Sequence, residues 1–238
     1  MTENTKTIFV AGTGTDVGKT FICALLLRLA RERGNAGYQK WVSTGGELPA
    51  DWQTCREMAG MGLDMAALER EVPFRFTYPA SPHFAAEREG REVDLEIILS
   101  RYQEMQAAHD LLIVEGVGGL LVPLRRDVLL VDLMAKIAPP TLLVAKSGLG
   151  TINHTLLSLE ALRSRKIPVL GVVFSDGEDD LIDEEIVADN MRVIAETGQC
   201  RVFGRMRQQN TAQDAVSEFN PIGTAILDAH ADGVKKQI

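Results

Sequence analysis

An apolar run, Ile8-Phe9-Val10-Ala11-Gly12, leads directly into Thr13-Gly14-Thr15-Asp16-Val17-Gly18-Lys19-Thr20, and this order of strand, glycine loop and helix start constrains the fold more than any other feature. Glycines let backbone N–H groups close on phosphate oxygens, a lysine at the loop's end neutralises terminal phosphates, and a following hydroxyl suits Mg²⁺. Lys19 and Thr20 stand at those two places. The strict spacing G-x-x-x-x-G-K-[ST] is missed by one residue, because Thr13 occupies the first glycine position and Gly12 lies one step earlier. A glycine-rich turn that happens to precede a helix is the plain alternative. The helical period from Phe21 to Arg33 opens where a phosphate loop requires it, so the chain is expected to hold a nucleoside triphosphate.

At 238 residues and 45% hydrophobic content the chain can bury the core of one α/β domain without staples. A net charge of −8 argues against a general nucleic-acid binder, which needs a basic face, and leaves room for a local basic pocket. Cys23, Cys55 and Cys200 are odd in number and share no metal-ligand spacing, so they read as reduced, mostly buried thiols. The polar stretch Met1 to Lys6 runs straight into a strand and no apolar run approaches a membrane span. A cytoplasmic location with no membrane partner is expected.

Short β-rich runs alternate with longer amphipathic ones, the pattern of right-handed crossovers around a parallel sheet. Strands are expected at Ile8–Ala11, Tyr38–Val42, Leu111–Glu115, Thr141–Ala145, Val169–Phe174 and Arg201–Phe203. Helices are expected at Phe21–Arg33, Asp51–Gly60, Asp94–Ala107, Val131–Ala138, Thr151–Arg165 and Asp183–Thr197. The fold class is therefore α/β, of the phosphate-loop (P-loop) NTPase type, with a mostly parallel sheet flanked by helices on both faces. No repeat, low-complexity tract or linker divides it, so residues 1–238 are read as a single domain. Segment Leu63 to Arg91, with Pro73, Pro79 and Pro82, reads as a loop-rich insertion. The acidic groups Glu178-Asp179-Asp180 and Asp183-Glu184-Glu185 read as solvated caps opposing a helix dipole.

In such sheets ligands sit beyond the carboxyl ends of the strands. The second strand ends in Lys40, followed by Ser43, Thr44, Gly45 and Gly46: either a second cation facing Lys19 or a surface lysine. The third ends in Glu115, followed by Gly116, Val117, Gly118 and Gly119. A carboxylate there is costly to bury unless it meets a cation or donors, so Glu115 reads as a direct or water-mediated Mg²⁺ partner, with an ion-paired structural role as the alternative. The fourth end, Lys146-Ser147-Gly148-Leu149-Gly150-Thr151-Ile152-Asn153-His154, runs glycines into a helix start and suits an anion such as a substrate carboxylate. His154 and His83, with no acid partner at readable spacing, read as structural.

Taken together, Gly12–Thr20, Gly37-Tyr38-Gln39-Lys40, Ala80-Ser81-Pro82-His83, Val114–Gly119 with Pro123-Leu124, and Lys146-Ser147-Gly148 with Ile152-Asn153-His154 resemble the dethiobiotin synthetase family over nearly the whole chain. The longer phosphate loop is itself a trait of that family. The resemblance implies an ATP-dependent cyclo-ligase of biotin biosynthesis. It would join 7,8-diaminopelargonate and CO₂ through a carbamate and a carbamic-phosphoric anhydride, with Mg²⁺ as cofactor and ATP as co-substrate. It implies Lys19 and Lys40 as catalytic residues, with Lys40 meeting the carbamate, and Thr20, Asp51 and Glu115 around the metal, Glu47 and Glu57 competing with Asp51. By the same likeness the nucleotide meets Thr15, Asp16, Val17, Gly18, Lys19, Thr20, Phe21, Asp51, Glu115, Gly116, Val117, Gly118, Ser175, Asp176, Arg205 and Met206. Thr44, Gly150, Thr151 and Asn153 would meet substrate, and a homodimer would bring the last three to the partner's substrate tail.

Three departures stand out. Trp41 replaces the family's proline after Lys40, Ser175 stands where the family has a base-reading asparagine, and Arg205-Met206 replaces an Ile-Pro pair behind Gly204. Relaxed selection of the nucleotide base is the expected result. A chromosome-partitioning type ATPase switch carries an extra lysine early in the loop, aligned with Gly14 here, and a regulatory nucleotide-binding domain of the same fold is the other alternative.

Overall fold

The computed structural model describes residues 6–177 and 183–235. The chain runs β1 (Thr7–Gly12), α1 (Lys19–Arg33), β2 (Ala36–Lys40), β3 (Val42–Thr44), α2 (Ala50–Met58), α3 (Met65–Glu71), β4 (Phe74–Phe76), α4 (Pro82–Arg88), α5 (Leu95–Ala108) and β5 (Leu111–Gly119). It continues through β6 (Pro123–Arg125), β7 (Val128–Leu129), α6 (Leu130–Ile137), β8 (Thr141–Ala145), α7 (Thr151–Ser164), β9 (Val169–Ser175), α8 (Glu184–Thr197), β10 (Val202–Met206) and α9 (Ala212–Lys235). Six strands form a parallel sheet in the order β10-β9-β8-β1-β5-β2. The pairs β3–β4, parallel, and β6–β7, antiparallel, stand apart from it.

The alternation along β1 explains the layering. Successive side chains point to opposite faces, so Ile8 and Val10 enter one core while Phe9 and Ala11 enter the other. The first core is closed by Ile22 and Leu26 of α1 and by Phe219 and Ile226 of α9. The second is closed by Tyr102 and Met105 of α5, Leu133 of α6 and Leu162 of α7. With both faces covered, the strands are nearly continuous apolar runs.

Several boundaries differ from the sequence reading, each for a physical reason. The expected strand Tyr38–Val42 divides: β2 ends at Lys40 on the sheet, while β3 leaves to pair with β4. Between them Trp41 turns into the second core, edge-on to Phe9 (centroids 5.0 Å apart) and Tyr102 (6.2 Å). The segment Leu63 to Arg91 is not loop-rich, since it holds α3, β4 and α4. Pro82 opens α4 in its first turn, where proline's missing N–H costs nothing, rather than breaking structure. The last strand lies later than expected, ending at Met206 instead of Phe203.

Helix α9 has no counterpart in the sequence reading, where Pro221 and Gly223 interrupt the pattern. Its buried residues Ala215, Phe219, Ile222 and Ile226 nevertheless recur at helical spacing. Gly223 permits close approach to α1, because a Cβ there would stand 2.8 Å from Leu29 Cδ2. Asp183 caps α8 by accepting from the N–H groups of Glu185 (2.9 Å) and Ile186 (3.2 Å), as the acidic pattern predicts. Glu178, Asp179 and Asp180 lie outside the described residues. Cys23 and Cys55 are buried and Cys200 is half-buried, all as free thiols. Among the described residues no helix is long and apolar enough to cross a membrane.

His230 ties α9 to β1: it is buried, and its Nε2 lies 3.2 Å from the Thr7 carbonyl oxygen. Burial lowers its pKa below the ordinary 6.5, with the bond to Thr7 opposing the shift. The unfolded chain therefore takes up this proton first as pH falls, so the stabilisation is complete above about pH 6.5 and is lost progressively below it. The variant His230→Gln should show a shallower loss of urea-unfolding stability between about pH 7.5 and 5 than the unaltered protein. Equal slopes would assign the acid sensitivity to other groups.

Candidate functional site

At the carboxyl ends of the sheet strands lies an open cleft of about 850 Å³. Its floor is the loop between β1 and α1, anchored where the Thr13 N–H donates to the Val144 carbonyl at 3.0 Å. Asp16 (φ 55°) and Gly18 (φ 87°) take left-handed conformations there, and Gly18 is the N-cap of α1. The displaced glycine of the motif has its own reason: a Cβ on Gly12 would stand 2.8 Å from Val17 Cγ2 and 2.9 Å from Lys19 Cδ. Lys19 folds back so that its Nζ donates to the Gly14 carbonyl at 2.7 Å. Burial lowers its pKa and nearby Lys40 adds to this, while Glu115 and Asp51 oppose.

Opposite Lys19 stands a second charged group built by strand register. Lys40 at the end of β2 is directly paired with Glu115 on β5, and both are almost wholly buried, at 3% and 1% exposure. Lys40 Nζ donates to Glu115 Oε1 at 2.8 Å and to Asp51 Oδ2 on the first turn of α2. Thr20 Oγ1 also donates to Glu115 Oε1 at 2.8 Å, and the Tyr38 hydroxyl donates to Oε2 at 2.6 Å. Burial alone would lower the Lys40 pKa, yet the charges of Glu115 and Asp51 outweigh it and hold the ammonium well above its usual value. Burial likewise pushes the Asp51 carboxyl up, and Lys40, with help from Thr20 and Lys19, brings it below its usual range. Lys40 is thus no surface lysine, and Glu115 is both ion-paired and turned to the cleft.

Asp51 is carried by a firmly held helix. Glu71 of α3 accepts from Arg56 Nη1 of α2 at 2.6 and 2.8 Å and from the indole N–H of Trp52. Asp51 lines the cleft, whereas Glu47 and Glu57 do not. Thr15 to Phe21, Thr44, Val117, Gly118, Ser175 and Asp176 also line it. Gly116 does not, because it packs inside the sheet, where a Cβ would meet Phe9 Cε1 at 3.0 Å.

Arg205 and Met206 are likewise away from the cleft wall. Met206 is wholly buried in the first core, and Arg205 bonds inward, its Nε to both Asp176 oxygens (2.9 and 3.0 Å) and its Nη1 to Glu184 (2.8 Å). Asp176 also accepts from Ser147 Oγ, so its carboxylate is fully engaged. Lys146, which the sequence reading placed in an anion site, lines this cleft, together with residues that the reading missed: Gly177, Arg207, Gln208 and Gln209, and Thr54 of α2. Had β10 been extended to Met206, the rule that ligands lie beyond strand ends points to Arg207–Gln209. Gly150, Thr151 and Asn153 open α7 outside the cleft, with Thr151 buried and Asn153 exposed. His83 bonds to Ser81 Oγ through Nδ1 at 3.1 Å and His154 is exposed; neither lines the cleft.

Residues 6–215 match the family model AAA_26, described as an AAA domain. The ATP-dependent dethiobiotin synthetase BioD of Rhodopseudomonas palustris (strain TIE-1) is 40% identical over 199 residues, covering 84% of each chain. That of Chlorobaculum tepidum is 40% identical and covers 80% of each, and that of Nitrobacter hamburgensis is 39% identical over 93% of this chain and 95% of its own. Among solved structures, apo McdA of Cyanothece superposes with a TM-score of 0.59 at 14% identity, covering 94% of this chain and 98% of its own. The cell-division protein MinD of Aquifex aeolicus gives 0.56 at 13%, covering 97% of each. These two likenesses speak for the fold alone.

Gly18 is the most demanding position of the loop, since it combines its left-handed φ with close packing of Ser175 Oγ against the space a Cβ would fill. Gly18→Ala should weaken binding of a nucleoside triphosphate analogue at least about tenfold by calorimetry, from strain of roughly 1–2 kcal/mol plus the clash. Pairing it with Ser175→Gly should restore part of the loss.

Proposed function

This chain belongs to the ATP-dependent dethiobiotin synthetase family, and on that premise we propose that the cleft closes a cyclic urea from 7,8-diaminopelargonate, CO₂ and ATP, releasing dethiobiotin, ADP and phosphate. One amine captures CO₂ as a carbamate and a carbamate oxygen takes the γ-phosphoryl group. The second amine then attacks the mixed anhydride, forming the second C–N bond and expelling phosphate. The carbamate and the phosphoryl group are both anions that repel, so the protein must align them and supply positive charge.

The observation that carries this reading is the pair of buried lysines, delivered from the start of α1 and the end of β2 to one cleft, with Glu115 and Asp51 paired to the second. Lys19 neutralises the triphosphate, Lys40 holds the carbamate, and Thr44 offers its hydroxyl to the substrate. Thr20, Asp51 and Glu115 are hard oxygen donors converging on one point, which fits Mg²⁺ arriving with the nucleotide. When bound, that ion supplies charge neutralisation at the β- and γ-phosphates. A homodimer accounts for Gly150, Thr151 and Asn153, which stand outside the cleft beside the 96% exposed Leu149 and serve the substrate tail of a second copy.

Formation of dethiobiotin from the diamine, bicarbonate and ATP, followed by mass spectrometry, tests the function directly. Lys19→Ala should lose nucleotide binding and turnover together. Lys40→Met should leave binding of a non-hydrolysable ATP analogue nearly intact while lowering kcat on the order of a hundredfold or more, since its charge matters chiefly in the transition state. Equal loss of nucleotide affinity in both variants would refute this division of labour.

Base selection should be weak. Ser175 offers a single hydroxyl where an asparagine amide would pair with adenine, and Asp176 is already occupied by Arg205 and Ser147. Values of kcat/KM for ATP, GTP, CTP and UTP should lie within about tenfold of one another. A preference for ATP above about a hundredfold would place a base reader among Arg207, Gln208 and Gln209 instead.

A further inference from the structure

Tyr38 and Lys40 alternate along β2 and therefore share a face. In the β2–β5 register Lys40 lies opposite Glu115 and Tyr38 opposite Ile113, two residues earlier on the same side. This staggering gives the two oxygens of Glu115 different partners. Oε2 receives the Tyr38 hydroxyl at 2.6 Å, while Oε1 receives both Lys40 Nζ and Thr20 Oγ1 at 2.8 Å. Tyr38 is wholly buried, so its hydroxyl has no water to turn to, and the phenol is a fixed fixture of that oxygen.

We propose that Tyr38 is a positioning residue that reserves Glu115 Oε2, so that Lys40 and the divalent cation of the nucleotide must share Oε1 and Lys40 is released toward the anionic substrate when the metal nucleotide loads. This rests on the reading of Glu115 as a metal partner. Two cations cannot sit closely on one oxygen without repelling each other, whereas a carboxylate with both oxygens open can serve lysine on one and metal on the other. The tyrosine removes the second arrangement. Lys40, held by Glu115 and Asp51, thereby becomes available only once their charge is taken up elsewhere.

The test compares the affinity of ADP with Mg²⁺ to that of ADP with EDTA, by calorimetry, in the full-length protein. Tyr38→Phe keeps the ring in the core and frees Oε2, so the ratio of the two affinities should rise at least about threefold. At saturating Mg·ATP its kcat should fall about tenfold or more with KM for ATP not raised, because Lys40 stays tethered. Lys40→Met should raise the ratio as well, and the double variant should show no further rise, the signature of one shared oxygen. An unchanged ratio in Tyr38→Phe, or additive effects in the double variant, would overturn the proposal. Mere loosening of the fold would weaken both affinities together and leave the ratio fixed, which is again the overturning result. The ratio is read without any product, so absence of dethiobiotin formation by the unaltered protein would count against the family chemistry and not against this role of Tyr38.

Discussion

A lysine and a glutamate facing each other across two parallel strands set the electrostatics on which the rest of the cleft depends. Either charge alone at 1–3% exposure would be costly, and removing one partner of such a pair leaves the other uncompensated at about 3–5 kcal/mol. Together Lys40 and Glu115 neutralise each other, Asp51 adds a second carboxylate to Lys40, and Lys19 feels the charge of both carboxylates. Opposite charges are therefore brought together where the strand ends open into the cleft. The match depends on register, because a one-residue slip of β5 would turn Glu115 into the opposite core.

The sheet order makes this pairing possible at the right place. With β1 between β5 and β8, the phosphate loop opens at the centre of the strand ends, and Lys40 and Glu115 flank it from one side while Ser147 and Asp176 flank it from the other. Each side has its own anchoring. On the first, Arg56 and Trp52 grip Glu71 behind Asp51; on the second, Arg205 grips Asp176. The two anchors differ in consequence, since the first leaves Asp51 to bond Lys40 across the cleft, while the second bonds Asp176 itself, which lines the cleft with both oxygens taken up.

Local signals were enough to read the core of this arrangement. The phosphate loop, the strands that carry Lys40 and Glu115 and the cap at Asp183 are all stretches in which a few adjacent residues determine the conformation, although β5 runs on past Glu115 to Gly119. What escaped depended on distant contacts. Helix α9 is stabilised by packing on α1 and β10 despite Pro221, so its apolar period outweighs its punctuation. Pro82 starts a helix because its ring fits the first turn and the core takes up Ala85 and Ala86. The family resemblance put Arg205 and Met206 against the nucleotide, but three extra residues of β10, Gly204 to Met206, carry them inward and bring Arg207, Gln208 and Gln209 to the rim. That Trp41 leaves the cleft untouched follows from the aromatic pocket formed by Phe9 and Tyr102, far apart from it in sequence.

The small β3–β4 pair lies outside the main sheet, yet its excursion brings Thr44 and the helix bearing Asp51 to the same cleft as Lys19, Lys40 and Glu115. The cleft wall is consequently assembled from two parts of the chain, joined where Asp51 on the second accepts from Lys40 on the first. The central sheet and α1 hold Lys19, Lys40 and Glu115, while the β3–β4 ribbon, paired only within itself, can lengthen or shorten without disturbing the register of the main sheet. The shape of one cleft wall can thus vary through a single excursion of the chain, provided that Asp51 keeps its place beside Lys40.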